Sequence, residues 1–173
     1  MKNILIICSL IILPLASFAQ KCKYDVDKAD PFTKEMVQST TFKIGPKTIN
    51  GKKNMEVGWT MTFEKNGKDK FVGFKVILFG KFDEIVEVGQ KVYLRLEDDT
   101  ILELVVGKQV LPVYMTGMAV YTHYNLRLKV EDETIQKLAQ SGLTNFKMQM
   151  NEREIVAEIS KGDKVMNIAA CFK

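Results

Sequence analysis

Strict alternation over the Asn54–Gly80 stretch constrains this chain more than any other feature. Met55, Val57, Trp59, Met61 and Phe63 fall at every second residue, and Glu56, Gly58, Thr60, Thr62 and Glu64 fill the gaps. That period belongs to a strand with one buried and one wet face. Asn66-Gly67 follows, a pair that accepts the positive φ angles of a type I′ turn. The chain returns as Phe71, Val72, Phe74 and then Val76-Ile77-Leu78-Phe79. The first strand keeps a polar side, whereas the second becomes apolar on both sides. The spacing therefore predicts a long hairpin whose second arm ends deep in the fold, under a helix or a second sheet.

The same reasoning extends along the chain. Lys23–Asp27 reads as a short edge strand stopped by Asp30-Pro31. Met36–Ile44 reads as a strand, and Asn50-Gly51 as another hairpin turn. Lys91–Leu96 and Ile101–Val106 pair across an Asp98-Asp99 turn, and Gln109–Tyr114 is extended, with Pro112 marking an edge or bulge. Met118–Val130 alternates throughout, with Val120, Thr122, Tyr124, Leu126, Leu128 and Val130 on one side. Tyr121, His123, Asn125, Arg127 and Lys129 take the other side, the pattern of an antiparallel sheet half in water. Glu131–Ser141 starts acidic and stops at Gly142, as a short helix does. Phe146–Met150 and Ile155–Ile159 form a hairpin, and Lys161–Phe172 is a terminal helix or, alternatively, a last strand. The expected class is mainly β (α+β): an antiparallel sandwich or barrel-like sheet of about eight or nine strands, with one or two short helices near the C-terminus.

The N-terminus reads as a secretory signal peptide over residues 1–19. Lys2 supplies the positive charge, Ile4–Leu15 the apolar run, and Ala16-Ser17-Phe18-Ala19 the small residues before a cut near Ala19. The remainder, 20–173, suits one β-rich domain. The reading is an exported protein of the periplasm or the extracellular space, touching a membrane only through an uncleaved signal peptide. Two cysteines then remain, Cys22 and Cys171. In an oxidising compartment they are expected to form a disulfide, worth about 4–5 kcal/mol for so long a loop before strain is subtracted. The formal net charge is only +4 and the lysines are spread out, which argues against nucleic acid.

Several local features resemble a group of small exported proteins of Bacteroidota bacteria. They are the signal peptide ending before Gln20, the Tyr24-Asp25-Val26-Asp27 and Asp30-Pro31-Phe32-Thr33 opening, and Leu94-Arg95-Leu96 turning into Ile101-Leu102-Glu103-Leu104. The acidic helix, the late hairpin and a cationic C-terminal segment complete the likeness. It implies an origin and a compartment, and no activity.

Motifs for chemistry are sparse. His123 is the only histidine, and it stands on the polar side of its strand with no serine elbow and no cysteine beside a helix start. One histidine and two distant cysteines do not make a zinc set. Asp25, Asp27 and Asp30 hint at calcium but lack the loop glycine and closing glutamate. Glu56, Glu64 and Glu103 project from strands as carboxylates that a hydrolase could pair. No phosphate or dinucleotide glycine pattern occurs, and no cofactor is expected. The methionines read as core filler or as an adaptable pocket lining, with Met55, Met61 and Met118 foremost. Tyr114, Tyr121, His123 and Tyr124 cluster into a possible binding face. The resulting expectation is a non-enzymatic binding or structural module, its partner an envelope protein, a lipid or a glycan. The alternatives are an accessory or inhibitor subunit of an envelope complex, or a carboxylate-based hydrolase.

Overall fold

The computed structural model describes residues 22–53 and 58–173. The signal-peptide segment 1–19 and the start of the first hairpin arm, including Met55, Glu56 and Val57, lie outside the described residues.

Among the described residues, twelve strands form two antiparallel six-stranded sheets. The first sheet has the order β1 (Val26–Ala29), β2 (Met36–Lys43), β5 (Thr60–Asn66), β6 (Asp69–Phe79), β10 (Val120–Val130) and β9 (Val113–Thr116). The second has the order β4 (Lys52–Lys53), β3 (Pro46–Ile49), β12 (Glu154–Ile159), β11 (Leu143–Gln149), β7 (Lys91–Leu96) and β8 (Ile101–Val105). The expected mainly β sandwich with short late helices is thus what the chain forms. The strand count exceeds the expected eight or nine because short pieces such as β3 and β4 carry too few residues to show a period.

The inner faces meet as alternation requires. Trp59 and Phe74 from the first sheet pack on Phe146 of the second, with ring centroids 5.3 and 4.9 Å apart. Met61, Phe63, Val72, Val76, Leu94, Leu128 and Met148 join them in one buried cluster. Burying a large apolar side chain contributes roughly 1.5–3 kcal/mol, so these strand faces dominate the stability. Trp59 also donates its indole N–H to the Ile77 carbonyl at 2.8 Å, which satisfies the one polar atom it takes into the core.

Both turns that Asn-Gly pairs mark are hairpins, but of different kinds. At Asn50-Gly51 both residues have positive φ (49° and 74°), as a type I′ turn needs. At the other, Asn66 pairs with Asp69, so Gly67-Lys68 is the central pair and only Gly67 is positive. That pattern belongs to type II′, and it corrects the expected type I′ geometry.

Two helices follow the long strands. Helix α1 (Asp132–Leu138) buries Ile135 and Leu138, and helix α2 (Gly162–Ala169) buries Val165 and Ala169. The terminal segment is therefore helical, and a single 3-10 turn (Ala170–Phe172) ends it. Gly162 allows α2 to seat: a Cβ there would stand 2.3 Å from the Leu143 carbonyl oxygen. The 3-10 turn drives Phe172 between Phe63 and Tyr24, at centroid distances of 5.7 and 5.4 Å. Beside it Cys171 is bonded to Cys22, with Cα atoms 5.6 Å apart and a sequence separation of 149. Tyr24 adds a hydroxyl hydrogen bond to the Cys171 carbonyl.

The second arm of the long hairpin departs from expectation. Val76 and Leu78 are buried, but Ile77 is half-buried and Phe79 is 68% exposed. Its second apolar side is not covered by helix α1 or by the second sheet, because both lie against the inner face. That outer side is a surface.

Candidate functional site

The four residues of the expected binding face do not share a face. Register pairs Tyr121 with Phe79 and Met115, and His123 with Ile77 and Val113, on the outer side of the first sheet. Tyr114 pairs with Thr122, and Tyr124 lies one alternation further along β10, so both belong to the inner side. Tyr124 is fully buried and donates its hydroxyl to the Glu84 carbonyl at 3.0 Å, and burial pushes that phenol's pKa up. It is a core residue and leaves the proposed face. His123 is also not solvent-facing as expected: it is 5% exposed between its neighbours on β6 and β9. Burial first, and then the nearby Lys75 charge, hold its pKa below the usual histidine value.

The inner-side residues do structural work. Tyr114 donates its hydroxyl to Asp83 Oδ1 at 2.5 Å and to the Phe82 carbonyl, while Lys81 stands over its ring. Thr122 donates to the Gly80 carbonyl and accepts from the Phe82 N–H. Tyr114, Thr122 and Tyr124 together fasten the connection after β6, residues 80–84, to the β9–β10 hairpin. The Tyr114 hydrogen bond, and then Lys81, hold the Asp83 carboxyl below its ordinary range.

Beside this connection lies an open cavity of about 490 Å³, with Lys81, Asp83, Glu84, Glu87, Glu152 and Arg153 at its rim. Its charges are largely matched in place: Lys81 pairs with Asp83, and Arg153 with Glu84. A lowered carboxyl pKa at Asp83 suits a fixed anion and works against a general acid. Of the carboxylates singled out from sequence, Glu56 lies outside the described residues, and Glu64 and Glu103 do not converge. Glu64 is held by Arg127 in the first sheet and Glu103 by Lys91 in the second. The three N-terminal aspartates are likewise occupied. Asp25 accepts from the Thr41 N–H, Asp27 from Gln38, and Asp30 from the N–H groups of Phe32 and Thr33. A second concavity of about 400 Å³ crosses the outer face of the second sheet at Tyr93, Ile101 and Val156. The cations along it are engaged too, Arg95 with Asp99 and Lys147 with Glu154.

The methionines divide between core and surface. Met61, Met148 and Met150 are buried within the continuous core, whereas Met115 is 53% exposed and Met118 stands fully in solvent at the hairpin tip. Met61 and Met118 therefore do not line a common interior, and the ligand-carrier arrangement loses its wall.

What the structure does bring together is apolar surface. Phe79, Leu111, Val113, Met115, Met118 and Val120 are all exposed: Val113 and Met115 face outward from β9, Met118 and Val120 lie at the tip of the β9–β10 hairpin, Leu111 leads into it, and Phe79 ends the neighbouring β6. Phe79 and Tyr121 interlock edge to face at 5.6 Å. Elsewhere the outer face of this sheet is charged or polar, as at Glu64–Arg127 and Asp69–Lys129. The missed signal was a compositional one. No Asp, Glu, Lys or Arg occurs between Lys108 and Arg127, the longest such run among the described residues, in a chain that is 27% charged. A contiguous exposed apolar patch of this kind marks a contact site in soluble proteins.

No protein-family model matches this sequence, and no curated protein or solved structure is significantly similar to it.

Proposed function

We propose that this chain is a non-enzymatic binding module, exported and cut near Ala19, that docks through the outer face of the β6–β9–β10 corner. One observation carries the reading: the largest group of exposed apolar side chains lies at that corner, with Phe79, Val113 and Met115 on its outer face and Leu111, Met118 and Val120 beside it, while the rest of that sheet's outer face carries paired charge. Binding surfaces of this type use an apolar centre with a polar rim. Lys75, Asn125 and the Lys81–Asp83 pair supply that rim. The Cys22–Cys171 bond supports the export half of the proposal, since such bonds persist in oxidising compartments. A lipid or glycan ligand has less support, because the closed core leaves neither a place inside.

The test is site-specific photocrosslinking in intact cells of the native host. A photoreactive side chain at Met118 is expected to give discrete protein adducts, and the same probe at Glu158, on the outer face of the second sheet, none. Equal labelling from both positions, or from neither, overturns the docking surface. Cell fractionation tests export separately: the mature chain is expected to begin at Gln20, outside the cytoplasm, and a cytoplasmic chain retaining residues 1–19 sinks that half.

A further inference from the structure

We infer that the occupant of this corner is a second copy of the chain, with the two β9 strands paired antiparallel across a two-fold axis. The inference rests on the docking surface proposed above and names its partner.

The first argument is the edge itself. Strand β9 is the last in its sheet, all four of its residues are exposed, and Val113-Tyr114-Met115-Thr116 carries no charge. Unpaired edges template further pairing, and proteins blunt them with charge. The other three edges of this sandwich follow that rule. Strand β1 presents Asp27 and Lys28, β4 is Lys52-Lys53, and β8 carries Glu103 bound to Lys91. Only the β9 edge lacks the device.

The second argument is self-complementarity. A two-fold axis perpendicular to the sheet sets outer face beside outer face, so paired residues must share alternation. Of the registers that satisfy this, the two that overlap the four-residue strand most fully place Tyr114 or Met115 opposite itself. In both, Val113 and Met115 of the two copies form one apolar strip, flanked on each side by Tyr121 and Phe79. The protruding Met118 of one copy then lies alongside Leu111 and Pro112 of the other. An isologous contact of this kind closes after two subunits, and the edge is consumed.

Third, the area suffices. With about 200 Å² for a large apolar residue, the exposed fractions of Phe79, Leu111, Val113, Met115, Met118 and Val120 amount to several hundred Å². Adding Tyr114 and Tyr121 brings this near the roughly 800 Å² per partner of a standard interface. Charge also decides against a lipid surface. Membrane-seeking tips carry unpaired lysine or arginine beside their apolar residues; this hairpin has none along its own length from Gln109 to Leu126, and the nearby Lys81 is paired with Asp83. The same gap lets two positively charged copies approach without like charges meeting.

The experiment is sedimentation velocity on the disulfide-intact protein expressed with its own N-terminus, combined with single-cysteine crosslinking. The expected result is a dimer at micromolar protein, weakened at least tenfold by Met115→Lys, with the near-ultraviolet spectrum retained. Tyr114→Cys or Met115→Cys, one for each register, is expected to yield a disulfide-linked dimer on non-reducing gels, and Val156→Cys none. A wild-type monomer that gives no crosslink from either β9 cysteine overturns the inference. If that monomer still forms adducts to another protein from the Met118 probe, the second copy is refuted while the docking surface stands. If the probe is silent as well, both fall. Binding of the monomer to vesicles of anionic lipid also refutes the second copy, in favour of a membrane.

Discussion

At one edge of the first sheet, β1 sets Asp27 and Lys28 into solvent and is stapled to the C-terminus by Cys22–Cys171 and the Tyr24 hydroxyl. At the other edge, β9 is uncharged, carries exposed Val113 and Met115, and has no covalent tie. The two strands are equally short, with four residues each. Length therefore does not explain why one is guarded and the other open. On the docking proposal, the difference lies in what each edge does: β1 closes the fold, while β9 offers the fold to a partner. An edge left sticky is a liability in any folded domain unless it is occupied.

The largest way to break this contrast is to cut the staple. Cys171→Ser is expected to cost about 4–5 kcal/mol, since the closed loop spans almost the whole chain, and paired urea titrations of oxidised and variant protein read it directly. Removing the packing beside the staple comes next. Phe172→Ala deletes a 2% exposed ring wedged between Phe63 and Tyr24, and is expected to cost about 3 kcal/mol by the same titration. At the open edge the same kind of change is expected to do little to stability. Phe79→Ser trims a ring that is 68% exposed, so its midpoint is expected to stay within about 0.5 kcal/mol of the parent while self-association falls. A large stability loss there would mean that Phe79 supports the fold and is not a contact residue.

The smallest effect is a pH dependence confined to the open edge. Folding holds His123 below the ordinary histidine value of 6.5, chiefly through burial. Above that value folded and unfolded imidazole are both neutral, and the group contributes no slope. As the pH falls below 6.5 the unfolded chain takes up the proton first, so stability drops until the depressed folded pKa is passed. Melting temperatures followed from neutral to mildly acid pH are expected to show this slope in the parent and to lose it in His123→Gln. The carboxylates Asp30, Asp83, Asp98 and Asp132 also have lowered pKa values and act near and below 3.8, and Glu133 near and below 4.5, so all of them act below the pH at which the histidine slope begins.

Most strands were readable because alternation reports directly on a sheet with one buried face. Strand β10, β7 and the β11–β12 hairpin fall where the pattern puts them. The two-residue β4 had too few side chains to display a period, so the strand number came out low. The candidate surface was only half legible. Its place near Tyr114 and Tyr121 was visible, but Tyr124 was misassigned to the face although its alternation already sets it opposite Tyr121. The larger error was at Ile77 and Phe79. A strand that is apolar on both sides signals burial when both sides are covered, and a contact surface when one is bare. Composition alone cannot separate the two, because the deciding fact is where the second sheet sits.

The Cys22–Cys171 bond has one more consequence, and it concerns time. A polypeptide emerges N-terminus first, so Cys22 appears 149 residues before its partner Cys171. The bond cannot close until residue 171 is out, and a chain cut short before that residue can never close it. The bridge thus acts as a late check on synthesis: a chain that lacks residue 171 stays unlocked.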